Sequence, residues 1–244
     1  MRSLAHALLI VAVLLVSCGV TTTAEQVAVP AQGTSESNSP TSNSSPAPAS
    51  AAEIDEAASR SAVDRGSLVV PLTLHVIIEA GDPTSDLSSR RTTDDLAAIA
   101  NNMREIWAQA DITFDPINVH ELEVPRDVLQ AILLGDTSRF FAGVNATFVP
   151  QDSQAINGFY VRGAFGVNGF TPQGSRLFFV VDEPSVHDER VSSHEVGHIF
   201  GLHHDLNDAD QLMFSGTNGT GLSELEQTVS RYSALGLFPQ DVAP

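Results

Sequence analysis

The sequence predicts an α+β domain in which the apolar strands of a buried β-sheet alternate with helices, and the last predicted element is a helix. Three observations predict this class. Apolar, β-rich segments alternate with segments whose apolar residues recur at helical spacing. Of the 244 residues, 42% are hydrophobic, which suffices for one domain with a real core. A long polar tract, residues 19–66, sets the N-terminus apart from that domain, which we assign to residues 67–244.

The first half of the domain alternates between strands and helices. Leu68–Glu79 is apolar and β-rich, which predicts a buried strand with His75 packed inside it. Thr92, followed by Asp95, predicts a capping box for a helix whose apolar stripe runs to Ala110. A second strand and a short helix stopped by Gly135 follow at residues 112–122 and 125–134.

The second half continues with two more strands, at residues 158–161 and Leu177–Val181. The stretch between them contains glycine and proline, so residues 166–171 form either an edge strand or an irregular surface loop. A capping box at Ser185 and Asp188 predicts the start of a helix that runs to about Phe200.

That helix carries the most informative motif in the chain, because residues 194–204 read H-E-x-x-H-x-x-G-x-x-H. On a helix, His194 and His198 lie about 40° apart and about 6 Å along the axis, so both rings can reach one ion. Gly201 permits a turn that brings His204 back as a third ligand. Three protein ligands leave a position open for water, as in catalytic zinc sites, and Glu195 stands beside it.

With this motif the sequence resembles the metzincin clan of zinc endopeptidases. Met213, nine residues after His204, matches the clan's methionine turn. The resemblance implies a metzincin-like fold: a mixed, twisted sheet with an active-site helix, and a small C-terminal subdomain with the methionine turn and a final helix. It implies one catalytic zinc on three histidines (His194, His198 and His204), and hydrolysis of protein or peptide substrates with Glu195 as general base and acid. It also implies that an edge strand, here residues 166–171, pairs with the extended substrate.

The chain departs from the clan's variants at two positions. Ser215 stands where some members carry a tyrosine ligand, so no tyrosine switch is expected. Cys18 is the only cysteine, so a zinc-blocking pro-segment cysteine is not expected either. A final helix is predicted from the capping box of Ser223 and Glu226 to Gly236. Its buried stripe is predicted to contain Leu225, Val229, Tyr232 and Leu235.

Two other functions fit the same residues. The first is a lipid-anchored binding or adhesion module that keeps a metalloprotease fold without catalysis. The second is a structural zinc site closed by a fourth ligand, His203 or Asp205. The complete set of three histidines and Glu195 favours the enzyme, since a degenerate site usually loses one of these residues first.

The N-terminus predicts export. Residues 1–18 combine a basic start with a short apolar run and read as a lipoprotein-type signal, with Cys18 as the lipidation site. Residues 19–66 then form a disordered linker rich in Ser, Thr, Pro and Ala. The expected location is the bacterial cell envelope, at the outer membrane or cell surface, or outside the cell if Cys18 carries no lipid.

Charge excludes some partners. The chain has 12 basic residues, all arginines, against 30 acidic ones, a net charge of −18. Such a chain repels nucleic acid and anionic headgroups, so we expect membrane contact only through the lipid anchor. The sequence decides neither calcium binding near Asp182 and Glu183 nor the oligomeric state.

Overall fold

A computed structural model of the chain describes residues 15–17, 66–145 and 152–239. Cys18 and nearly all of the signal and linker lie outside the described residues, so their assignment stays a prediction. In the described part of the chain, no helix is long and apolar enough to cross a membrane.

A six-stranded mixed sheet forms the centre of the fold. Its strands, in chain order, are β1 (Leu15–Ser17), β2 (Leu68–Glu79), β3 (Ile112–Val124), β4 (Ile156–Val161), β5 (Gly169–Pro172) and β6 (Leu177–Val181). They lie in the spatial order β1-β5-β6-β4-β2-β3. Strands β3, β2, β4 and β6 are mutually parallel, whereas β5 runs antiparallel to both β6 and β1. The mixed sheet is therefore as predicted. The strand between β4 and β6 covers Gly169–Pro172 and not residues 166–171, and β1 pairs with its outer side, so β5 is not the edge of the described sheet.

Helices cover both faces of the sheet. They are α1 (Thr93–Trp107), α2 (Arg126–Leu133), α3 (Ser138–Asn145), α4 (Asp188–Ile199) and α5 (Glu224–Leu237). Strand residues alternate between the faces, as the pleat requires. Leu74 of β2 joins a core cluster with Trp107 of α1 and Val196 of α4. Ile77, three residues along, joins the opposite cluster with Phe140 of α3.

The two capping boxes at Thr92 and Ser223 are confirmed. The Thr92 side chain accepts from the backbone amide of Asp95, whose carboxylate accepts from the amide of Thr92 at 2.8 Å. Ser223 and Glu226 make the same reciprocal pair. The predicted cap at Ser185 is wrong: α4 begins after His187, which makes no side-chain cap. Asn168 instead holds both the amide and the hydroxyl of Ser185.

The buried face of α5 also differs from its prediction. Leu225, Tyr232 and Leu235 are exposed, at 73%, 82% and 46%, whereas Val229 packs against the core as predicted. The buried residues of the helix include Arg231 and Ala234. The reason is a polar anchor, because Arg231 donates to the carbonyl of Ala110 at 2.9 Å and turns that face of the helix inward. The helix also continues past Gly236, to Leu237.

Candidate metal centre

Three histidines converge on one point beside the sheet. His194 and His198 project from α4, and His204 reaches them from the loop that follows. One nitrogen from each ring lies within 4.8 Å of the others. The ring centroids are 4.8 Å, 4.9 Å and 5.2 Å apart. Within the described ranges, this trio is the one group of histidine, cysteine or acidic side chains close enough to share an ion.

The end of α4 explains how the third histidine reaches the other two. Gly201 has a φ of +84°, a left-handed conformation that residues with a Cβ rarely adopt. The amide of Gly201 donates to His198 O at 3.1 Å, and the amide of Leu202 donates to Gly197 O at 2.9 Å. This pair of bonds is a Schellman motif, which ends a helix and reverses the chain. Residues 202–204 are thereby directed back toward α4.

Backbone carbonyls fix the protonation of two of the rings. His194 Nδ1 lies 2.7 Å from Leu212 O, and His198 Nδ1 lies 3.0 Å from Leu202 O. A carbonyl oxygen only accepts hydrogen bonds, so each Nδ1 must carry the proton and each Nε2 must carry a lone pair. Among the described residues, no group hydrogen-bonds to the buried Nε2 of His198. A ring held in this way is suited to bind a metal ion through Nε2.

The surroundings favour the neutral form of all three imidazoles. Burial lowers the pKa of His194 well below its ordinary value of 6.5, and the positive charge of Arg190 lowers it further. Burial likewise lowers the pKa of His198 to about 4. The pKa of His204 falls in the same direction and again chiefly through burial. Neutral imidazole is the form that ligates metals, so the residues present fit a transition-metal ion such as zinc.

Glu195 lies outside the trio but next to it on the helix. It is fully buried, and one carboxylate oxygen, Oε2, accepts a hydrogen bond from Thr171 Oγ1 at 2.8 Å. The same hydroxyl lies 2.9 Å from the backbone carbonyl of Glu195. Thr171 belongs to β5, so the strand beside α4 fixes the direction of this acid. No short motif signals that contact, and the sequence analysis did not identify Thr171 as a partner of Glu195.

Met213 lies beneath the metal-binding helix. It is fully buried, and a Cβ placed on Gly197 would stand only 2.5 Å from its sulfur. Glycine at position 197 is therefore what allows the methionine to approach α4 so closely. The carbonyl of Met213 accepts from the amide of Asp205 at 3.0 Å, next to His204.

The alternative ligands do not join the trio. His203 is exposed, and the carboxylate of Asp205 accepts from the amide of Asn207 at 2.6 Å. Neither belongs to the cluster of converging nitrogens, so the part of the chain with described coordinates presents three ligands and not four. Asp182, considered above for calcium, is bound by donors of the protein itself, including the Ser89 hydroxyl at 2.6 Å.

His75 lies away from this centre, on the opposite face of the sheet. Its ring stacks on Phe159 with centroids 4.8 Å apart, and its Nε2 lies 3.3 Å from Asn157 Oδ1. The side-chain amide nitrogen of Asn157 donates to Asp152 O and Ala155 O, so its oxygen faces the imidazole. His75 must therefore donate, and it is a neutral core residue, as the sequence suggested.

We expect His75 to make the fold sensitive to acid. Burial lowers its pKa to about 4, whereas the unfolded chain has a value near 6.5. The unfolded state binds the proton more readily, so the stabilisation is complete above about pH 6.5 and is lost as the pH falls toward 4. Urea unfolding of the chelator-treated protein at pH 7.5 and 4.5 measures the loss. His75→Gln should reduce that loss by about 2 kcal/mol. An unchanged pH dependence in the variant would contradict the assignment.

The fold and the trio define a class of site: a three-histidine metal centre on a helix and its following loop, with a buried acid alongside. No family model matches the sequence, and no curated protein matches it. Among solved structures, the chain is similar to archaemetzincin from Methanopyrus kandleri, at 16% identity and a TM-score of 0.46. The match covers 70% of this chain and 98% of that one. A similarity of this size carries no argument about activity, which must come from the side chains themselves.

Proposed function

We propose that this protein is a zinc-dependent peptidase with a metzincin-type site. The observation that carries the proposal is the convergence of His194, His198 and His204 within 4.8 Å, two of them with the Nδ1 proton held by a backbone carbonyl. Within the residues described, no fourth side chain of a ligating type joins them. Three protein ligands and an open position are the arrangement of catalytic zinc sites, whereas structural sites are closed by a fourth ligand.

The catalytic assignment follows from the chemistry of the residues. His194, His198 and His204 would hold the zinc ion, which would supply a Lewis acid and would lower the pKa of a water molecule at its open position to about 7. Glu195 is the general base in this proposal: its carboxylate accepts the proton of the attacking water and later delivers it to the leaving amine. Thr171 donates to Oε2 of Glu195 and so keeps the carboxylate from rotating away from the reacting atoms.

We expect the substrate to bind as an extended strand along β5. The outer edge of β5 already pairs antiparallel with Leu15–Ser17, in the register Val16 to Thr171. This side of β5 therefore pairs through its backbone groups, which is how an extended peptide of any sequence adds to a sheet. Leu15–Ser17 belongs to the proposed signal, and cleavage before Cys18 would remove it and leave the edge open for substrate.

Thr171→Val tests the link between the edge strand and the acid. Valine keeps the shape of the side chain and removes the hydroxyl that holds Glu195. We expect kcat to fall about tenfold and the zinc affinity to stay unchanged. Tenfold is the smaller of the losses seen when a residue that supports a metal site from behind is replaced. The control is Thr228→Val, because Thr228 is an exposed threonine whose hydroxyl binds a helix carbonyl. Equal kcat in both variants would remove Thr171 from the mechanism.

The proposed location follows from the N-terminal sequence alone. Residues 1–18 are proposed as a signal cleaved before a lipidated Cys18, and residues 19–66 as the tether that carries the catalytic domain away from the envelope. If Cys18 carries no lipid, the same domain is secreted.

Cleavage of a proteome-derived peptide library tests the function as a whole. Purified protein is incubated with the library after zinc loading, and a parallel sample contains a zinc chelator. We expect internal cleavages that vanish with the chelator and return when zinc is added back, which would indicate endopeptidase action. Trimming confined to peptide ends would indicate an exopeptidase. Stoichiometric zinc without any cleavage would favour the binding or adhesion module instead.

A further inference from the structure

A buried arginine lies one helical turn before the first histidine of the trio. Arg190 belongs to α4 and is only 3% exposed. Its Nη2 donates to Leu212 O at 2.7 Å and to Phe214 O, and its Nε donates to Gly219 O at 3.4 Å. The guanidinium thus holds two backbone carbonyls, one on each side of Met213, and a third a few residues further along.

One of these carbonyls is shared with a metal-binding histidine. Leu212 O accepts from Arg190 Nη2 and also lies 2.7 Å from His194 Nδ1. A carbonyl oxygen has two lone pairs, so it can serve both donors at once. The direction of this carbonyl decides which nitrogen of His194 carries the proton and how its ring is turned. Arg190 contacts the carbonyl directly and therefore constrains the ring through it.

The same turn also reaches the third histidine. Met213 O accepts from the amide of Asp205 at 3.0 Å, one residue beyond His204. Three successive carbonyls are thus engaged, two by Arg190 and the middle one by the loop that carries His204. Fixing the flanking carbonyls restricts the direction of the middle one, because each peptide unit is planar and only the φ and ψ angles between the units can change.

We infer that Arg190 is a positioning residue of the metal site, which locks the turn around Met213 so that His194 and His204 present their lone pairs to one point. The inference rests on the proposed function in taking the trio as metal ligands. Arginine suits this role because its planar guanidinium directs several donors at fixed angles, whereas the ammonium of lysine is a compact charge on a flexible stem.

The test compares three variants of the full chain. Arg190→Met removes the donors and keeps much of the aliphatic stem, and Arg190→Lys keeps the charge without the fork. Arg231→Met is the matched control. Arg231 is also buried, at 8% exposed, and it also donates to two backbone carbonyls, Ala110 O and Asp111 O, but these lie outside the candidate metal site. Zinc affinity is measured by competition with a chromophoric chelator. The tautomer of His194 is measured in metal-free protein by ¹⁵N–¹H NMR of the imidazoles.

We expect Arg190→Met to weaken zinc binding about 10-fold to 100-fold, as loss of an outer partner does in metal sites. In the metal-free variant, His194 should change from a single Nδ1–H tautomer to a mixture. Arg190→Lys should lie between the wild type and Arg190→Met, and Arg231→Met should keep both the affinity and the tautomer while it loses stability.

Three results would overturn the inference. The first is a folded Arg190→Met protein with wild-type zinc affinity and an unchanged His194 tautomer. The second is an equal loss in Arg231→Met, which would indicate general destabilisation. The third is a mixed tautomer in the wild type itself. If Arg190→Met does not fold, Arg190→Lys decides by the same two measurements. The tautomer is measured without metal, so it tests the role of Arg190 even if the protein binds no zinc. Absence of zinc binding or of cleavage would contradict the proposed function, and the tautomer would still decide the inference about Arg190.

Discussion

Replacing His198 by alanine is expected to abolish peptide cleavage and zinc binding together. His198 supplies a buried Nε2 that has no hydrogen-bond partner in the described part of the chain, and its Nδ1 proton is held by Leu202 O at 3.0 Å. Loss of this ring leaves two ligands. Loss of a residue that only hydrogen-bonds to a ligand weakens metal binding by at most roughly 100-fold, so loss of a ligand itself should lower the zinc affinity by more than that. Zinc content after dialysis and chelator competition measure the loss, and circular dichroism reports whether the variant folds.

The neighbouring histidine provides the control for that experiment. His203 is exposed and stands outside the trio, although it adjoins His204 in sequence. His203→Ala should keep one zinc per chain and cleave at close to the wild-type rate. Retention of tightly bound zinc by His198→Ala, or its loss from His203→Ala, would mean that the ligand set is wrong.

Replacing Glu195 by glutamine is expected to separate chemistry from metal binding. Glutamine has nearly the same shape and can still accept from Thr171 Oγ1, but it cannot take a proton from water. General acid–base catalysis contributes about 10²-fold to 10⁴-fold, so kcat should fall by that factor. Zinc affinity should stay at the wild-type value, because Glu195 lies outside the group of converging nitrogens.

Glu189 offers a matched control on the same helix. Its carboxylate is 29% exposed, and its nearest ionic partner is His187 at 3.9 Å. Glu189→Gln removes the same charge from α4 without touching the site, so kcat should stay within about twofold of the wild type, as for most surface substitutions. Full activity in Glu195→Gln would remove the proposed base from the mechanism.

The elements that could be predicted are those whose signals are local. Leu68–Glu79 and Leu177–Val181 are strands over the predicted residues because long apolar runs bounded by polar residues fit buried parallel strands. Thr92 and Ser223 cap their helices through partners only three residues away. Helix α3, Ser138–Asn145, was not predicted, because its eight residues show barely two turns of periodicity and its glycine, Gly143, lies within the helix. The equally short α2 could be predicted because Gly135 follows its end.

The predictions that failed depend on partners distant in sequence. Ser185 was expected to cap α4, but it is held by Asn168, seventeen residues earlier. The apolar side chains of α5 were expected inside, but Arg231 anchors the other face to Ala110 O. A one-dimensional pattern reports which residues are apolar, and it does not report which backbone carbonyls a folded chain leaves in need of a donor.

At the candidate metal centre, too, the local features could be predicted and the contacts between distant residues could not. The spacing of His194 and His198 on a helix is local, and the positive φ of Gly201 is the turn that the motif requires. Arg190 and Thr171 act across 22 and 24 residues, on Leu212 O and on Glu195. Neither contact belongs to the eleven-residue motif, so only the folded chain reveals them.

Zinc K-edge X-ray absorption of the loaded protein, with and without a small thiol such as 2-mercaptoethanol, tests the central claim most directly. The account predicts three imidazole nitrogens at about 2.0–2.1 Å with a light oxygen scatterer beside them, and replacement of that oxygen by sulfur at about 2.3 Å when the thiol is added. A zinc ion closed by four protein ligands, with no sulfur entering its shell, would contradict a catalytic site.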